Sequence, residues 1–136
     1  MKVVKLSDTL SVSEQIVIAD LPAIAAAGFK VVINNRPDGE EPNQPTTAEI
    51  EAAASAAGLN YYYFPVTAQN FPGDNLDQMA GLIEEPQGPV LAFCRTGTRC
   101  TNLWLVSRDA SHQENAWAVA GQLGYDLAMA TRHRSQ

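Results

Sequence analysis

Residues 94–99 read Cys-Arg-Thr-Gly-Thr-Arg and follow directly on the apolar run Pro89-Val90-Leu91-Ala92-Phe93. A short unbroken apolar run reads as a buried strand, so it delivers a cysteine into a loop holding one glycine and two arginines. Positive charge beside a thiol favours its ionised form, and a loop that opens a helix aims unpaired backbone N–H groups at the same point. The Cys94 thiol is therefore expected well below the ordinary cysteine range, as a nucleophile. Arg99 is the expected partner of the thiolate. Arg95, Thr96, Gly97 and Thr98 are the expected cradle for a transferred anionic group, with Gly97 allowing the tight turn. Arg36 is a further candidate for contact with substrate, or else ties its own loop to Glu40 or Glu41.

A second thiol follows at Cys100. A tight loop brings its ends together and could place the two α-carbons within the ~7 Å limit for a disulfide. Cys100 is thus a candidate to resolve a persulfide or sulfenate on Cys94, the plainer reading being a small helix residue. Two cysteines and two distant histidines, His112 and His133, lack ligand spacing, so neither metal nor cofactor is expected.

The elements that must position this loop are legible from pattern. Residues 3–6 and 10–12 read as a hairpin around the turn at 7–9. Asp20 and Pro22 open a helix that stops before Gly28. Residues 30–34 form a strand whose outgoing loop, 35–45, is rich in proline, glycine and short polar side chains. Thr46 and Glu49 make a capping box, with Ile50, Ala53, Ala54 and Ala57 as the apolar stripe and Gly58 as the stop. The next strand is 60–66. A helix capped by Asp74 then buries Leu76, Met79, Ala80 and Ile83. A helix follows the cysteine loop, and Ser111-His112-Gln113-Glu114 reads as a second capping box. Residues 132–136 read as a frayed tail. The alternation predicts a single α/β domain over 1–136, with a mainly parallel sheet of four or five strands and helices on both faces.

Composition narrows the function. At 46% apolar and 18% charged the chain is an ordinary globular one, and no apolar run approaches the ~20 residues that span a bilayer. A net charge of −6 argues against nucleic acid or an anionic membrane as partner. The expected partners are a small anionic substrate and a thiol acceptor. The start Met1-Lys2-Val3-Val4 lacks the pattern of a secretory signal, which predicts the cytoplasm.

Residues 34–41 (Asn-Asn-Arg-Pro-Asp-Gly-Glu-Glu), Thr46-x-x-Glu49 and residues 94–99 together resemble a small bacterial family. It has been described both as a β-lactamase-hydrolase-like phosphatase-like domain (DUF442) and as a rhodanese-like sulfur transferase. The resemblance implies a fold like the dual-specificity tyrosine phosphatases, and, from the family name, a metallo-β-lactamase-like sulfur dioxygenase as partner. Loop length separates the two descriptions. The phosphatase loop resembles Cys-x-x-x-x-x-Arg, whereas here the sixth residue after Cys94 is Cys100 and Arg99 comes one place early. A six-residue Cys-Arg-x-Gly-x-Arg loop resembles the rhodaneses.

The resemblance also implies an aspartic general acid just after the strand that precedes the cysteine strand, where this chain has Thr67-Ala68-Gln69. Asp38 and Asp74 are the possible substitutes, each with a plainer reading as a turn residue and a helix cap. Sulfur transfer needs no strong acid, because sulfite and thiolates leave readily. The sequence therefore predicts a sulfurtransferase carrying a Cys94 persulfide. A cysteine-dependent phosphatase is the alternative, and a thiol redox sensor using a Cys94–Cys100 disulfide is a third reading.

Overall fold

The computed structural model describes residues 1–135. Five strands, β1 (Val3–Lys5), β2 (Leu10–Ser13), β3 (Val31–Asn34), β4 (Asn60–Tyr63) and β5 (Val90–Phe93), make one sheet in the order β1-β2-β5-β3-β4. Only the β1–β2 pair is antiparallel, because only it is joined by a tight turn. The other three pairings are parallel, with Val31 level with Val90 and Val32 with Leu91. The expected α/β architecture is what the chain adopts.

Alternation along the central strands sends side chains to two cores. Val31 and Ile33 of β3 and Val90 and Ala92 of β5 join one cluster, while Val32, Leu91 and Phe93 join the other. The second core is closed by α1 (Leu21–Ala26) through Leu21 and Ile24, and by α2 (Thr47–Ala56) through Ile50 and Ala54. The first is closed by α3 (Leu76–Glu84), α4 (Thr98–Ser107), α5 (Gln113–Gln122) and α6 (Ala128–Arg134). Strands buried on both faces explain why β3 and β5 read as continuous apolar runs.

Adjacent strands β3 and β5 thus release their chains to opposite faces, β3 towards α2 and β5 towards α4. A crevice opens between the two departing loops at the carboxyl edge of the sheet, where open α/β sheets gather ligands.

Several local expectations need correction. The Thr46 box forms as read, with Thr46 Oγ1 accepting from Glu49 N–H and the Glu49 carboxylate accepting from Thr46 N–H. By contrast α3 is capped in position by Asn75, not Asp74. The second capping box does not form: Asp109, not Ser111, accepts from His112 N–H, and Ser111 donates to Asp109. Regular strand geometry in the expected strand 60–66 ends at Tyr63, but its backbone pairing continues, with Phe64 N–H bonding Asn34 O at 2.9 Å and Val66 N–H bonding Asn35 O at 3.1 Å on either side of Pro65.

The expected frayed tail is largely helix α6. Fully buried Asn102 of α4 fixes it, accepting from Ala130 N–H at 2.9 Å and donating to Asp126 O at 2.8 Å. Gln136 of that tail lies outside the described residues. Among the described residues no helix is long and apolar enough to cross a membrane.

Candidate active site

The cysteine loop is folded by its own side chains. Gly97 stands at the N-terminus of α4 with φ +90°, in the left-handed region that favours glycine. That conformation turns the Gly97 N–H back onto Cys94 Sγ at 3.1 Å. Thr98 N–H and Thr98 Oγ1 both lie against Thr96 Oγ1, at 3.3 and 3.0 Å, and Thr101 Oγ1 donates to Gly97 O at 2.9 Å.

Cys94 is only 1% exposed, yet its thiol is held at about 5 against an ordinary value near 9. The largest cause is a hydrogen bond from the Cys100 thiol. Burial opposes it, and the backbone N–H groups of Cys100 and Thr96 and the charge of Arg99 add to it. The expected depression is present with a different chief cause, because the sequence argument rested on the arginines and on helix N–H groups. Cys100, buried and facing the Cys94 sulfur, is pushed well above the cysteine range. It therefore stays a proton donor while Cys94 is ionised. Both cysteines are free.

Above this loop lies a cavity of about 680 Å³ whose charged lining is Arg36, Glu40, Glu41, Arg95 and Arg99. Arg99 grips Glu40 with both ends of its fork, Nη1 to Oε2 and Nη2 to Oε1, each at 2.7 Å, and Nη1 also donates to Val66 O at 3.0 Å. Arg36, 2% exposed, donates from Nε to Glu40 at 2.8 Å, from Nη2 to Glu41 at 2.7 Å and from Nη1 to Gln15 at 3.0 Å. Arg95 stands at the rim with Nε 3.3 Å from Glu41. The Arg99 and Arg36 guanidiniums hold the Glu40 carboxyl at about 2, the Arg99 bond being the largest cause and burial opposing.

The loop 35–45 that carries Arg36 and Glu40 is anchored to the sheet. Asn35 N–H bonds Phe93 O at 2.9 Å, Asn35 Nδ2 bonds Phe64 O at 2.9 Å, and Asn34 Oδ1 accepts from Arg36 N–H at 2.8 Å.

The structure thus gathers Arg36, Arg95 and Arg99 around one cavity, while Cys94, buried at the start of the loop that carries Arg95 and Arg99, is not among the residues that line it. Thr96, Gly97 and Thr98, expected as part of a cradle of backbone N–H groups, are not among the residues that line the cavity either. Thr96 lines a separate cavity with Ser13 and Tyr125 on the far side of the loop, and the contribution of Gly97 is its N–H. Asp38 is exposed and caps α2 by accepting from Thr47 N–H at 2.8 Å, while Asp74 is exposed and outside the cavity lining. Neither lines the cavity. Thr67, Ala68 and Gln69 do line the cavity, so the wall read as lacking a carboxylate lacks one.

Glu40 is the residue that sequence reasoning missed as part of the site. The signal was its four-residue spacing from Arg36, which was read only as a possible tie within the loop. Among the described residues no group of three His, Cys, Asp or Glu side chains could hold a metal ion.

The fold and site define an α/β domain whose mainly parallel sheet, covered on both faces, delivers a cysteine to the N-terminus of a helix with arginines close by. The model of the Beta-lactamase hydrolase-like protein, phosphatase-like domain family matches residues 2–111, and the chain belongs to that family. A Beta-lactamase hydrolase-like protein of Agrobacterium fabrum is 38% identical over 135 residues, which are 97% of this chain and 31% of that protein. The chain therefore spans about a third of the length of the curated relatives it matches.

A crystal structure from Neisseria meningitidis, assigned provisionally to the phosphatases, is similar at 36% identity and TM-score 0.71, covering 89% of each chain. TpbA of P. aeruginosa, solved in complex with phosphotyrosine, shares the fold at 18% identity and TM-score 0.65, over 96% of this chain and 80% of that one.

Proposed function

We propose that the chain is a cysteine-dependent phosphatase that hydrolyses small phosphate esters through a cysteinyl-phosphate. This inverts the order of preference drawn from the sequence, because family membership and the solved relatives favour phosphoryl chemistry. The observation that carries the reading is the depressed Cys94 thiol on the same loop as Arg95 and Arg99, which with Arg36 line a cavity. Cys94 Sγ attacks phosphorus, the ester oxygen departs with the bonding electrons, and water then releases phosphate from sulfur. Arg99 turns its fork from Glu40 to two phosphoryl oxygens, so substrate binding exchanges one anion for another.

The same geometry limits the substrate. The cavity carboxylates, Glu40 and Glu41, are both paired with arginines, and Asp38 and Asp74 stand elsewhere. General acids contribute about 10²–10⁴ in rate, so without one only leaving groups that depart as stable anions are cleaved well. Aryl phosphates of acidic phenols are therefore the substrates, with rates that fall steeply as the phenol becomes less acidic.

A second reading is favoured by that missing acid together with the short loop. A Cys94 persulfide formed from thiosulfate expels sulfite, which needs no protonation, and a thiol acceptor then takes the outer sulfur as a new persulfide. A sulfur-oxidising partner belongs with this reading alone.

The deciding experiment incubates the protein with 4-nitrophenyl phosphate and, separately, with thiosulfate. Phosphate release that Cys94→Ser abolishes supports the phosphatase. A mass gain of one sulfur on Cys94 with no phosphate release overturns it in favour of sulfur transfer.

A further inference from the structure

The main cavity does not end at the arginines. Ala68, Gln69 and Met129 line both it and a second cavity of about 240 Å³, whose remaining walls are Phe71, Arg132 and His133. The two adjoin across these three shared residues, one reaching the cysteine loop and the other the basic last turn of α6, and the pair is called the trough below. Arg132 and His133 are there because buried Asn102 docks α6, and the edge of one ring meets the other where Phe71 touches His133, their centroids 6.1 Å apart. The family model stops at residue 111, so nothing in the family match assigns these residues a role.

Size and charge both point to a ligand larger than an inorganic anion. A volume of about 680 Å³ lies in the ~300–1,000 Å³ range that holds extended organic ligands, whereas a phosphoryl group has only five heavy atoms. Four of the chain's nine lysines and arginines line the trough, against two of its fifteen acidic residues. A strongly acidic molecule has gathered positive charge along one path, and its far end, at Arg132, has no carboxylate among its lining residues. Between the charged ends the trough offers Ala68, Phe71 and Met129.

We infer that the trough binds a two-ended anion: a small aryl phosphate whose leaving group spans an apolar stretch and carries a carboxylate that pairs with Arg132. The inference rests on the phosphatase reading for the phosphorylated end and adds the substrate's other end. Arg132 is then a specificity-determining residue on an element outside the family model.

The test measures binding, so it does not depend on turnover. Calorimetry on the Cys94→Ser protein compares 3-(4-hydroxyphenyl)propanoate phosphorylated on its phenol with 4-propylphenyl phosphate, an isostere without the carboxylate. The carboxylated ligand is expected to bind about fivefold more tightly, the worth of one exposed charge pair. Arg132→Gln should bring the ratio to about one, and Arg132→Glu should invert it. Equal affinities, a preference that survives Arg132→Glu, or failure of both ligands to bind would overturn the inference. Release of phosphate from 4-nitrophenyl phosphate by the unmodified protein reports on the phosphatase reading separately. Turnover with no carboxylate preference removes only the second end.

Discussion

The Cys94–Cys100 pair shows how two chemically identical side chains are driven apart by their surroundings. Both are buried, but one accepts N–H and S–H donors while the other can only give its proton. The rate of Cys94 alkylation by iodoacetamide, followed by mass spectrometry across pH, should therefore be half-maximal near pH 5. Cys100→Ala removes the largest cause of the depression and should move that midpoint up by a unit or more, on the order of 1.4 kcal/mol per unit. Arg95→Ala should leave it in place, since the charge that contributes is that of Arg99.

The depression has a consequence for stability. The unfolded chain binds a proton at Cys94 that the folded chain has lost, so this contribution is complete above the unfolded value near 9. It fades as pH falls through about 5.

Glu40 allows a second test at the same scale. Glu40→Gln leaves Arg99 with a neutral, one-sided partner and makes its fork easier for a phosphate to take. The KM for 4-nitrophenyl phosphate should fall by up to about tenfold, as expected for losing a competing charged hydrogen bond, with a smaller change in kcat. A raised KM would mean that Glu40 only positions Arg99.

Among the elements, two joints decide whether the trough exists. Arg36 joins loop 35–45 to the cysteine loop through Glu40, and Arg36→Met strands carboxylates that water can partly reach. Its cost is about 2 kcal/mol, readable as a shift of the urea midpoint. Asn102 joins α4 to α6. Asn102→Ala orphans buried groups and should cost about 2–3 kcal/mol, with hydrogen exchange accelerating first in the amides of α6.

These joints also mark the limit of what could be read from the sequence. Strands β3 and β5, the Thr46 box and the cysteine loop are local patterns, and each stands where its residues indicated. Asn102 gave no such signal, because an asparagine in mid-helix announces neither its burial nor a partner 28 residues away. Helix α6 was missed for the same reason, since it is short and held by that contact, not by a strong apolar stripe. The Arg99–Glu40 fork spans 59 residues of sequence, so the missing acid was legible from Thr67-Ala68-Gln69 while the carboxylate that occupies the site was not.

At the scale of the whole molecule, the net charge of −6 repels an anionic substrate at long range, while the trough attracts it at short range. Raising ionic strength shortens the reach of both fields, but the paired and largely buried Arg36 and Arg99 are screened less than the exposed acidic surface. Thus kcat/KM for 4-nitrophenyl phosphate should change less than about threefold between about 20 and 200 mM salt. A steep decline would show that the open surface, not the trough, steers the substrate.

Gly97 gives the backbone conformation a chemical effect. With φ at +90°, the nearest atoms to an added methyl there would be Ser13 O at 3.5 Å and Tyr125 OH at 3.6 Å, so space is not what excludes alanine. Chirality is: an L-residue resists that dihedral, and relaxing it swings the amide away from the sulfur. A single methyl group that never touches the thiol would make it a weaker acid.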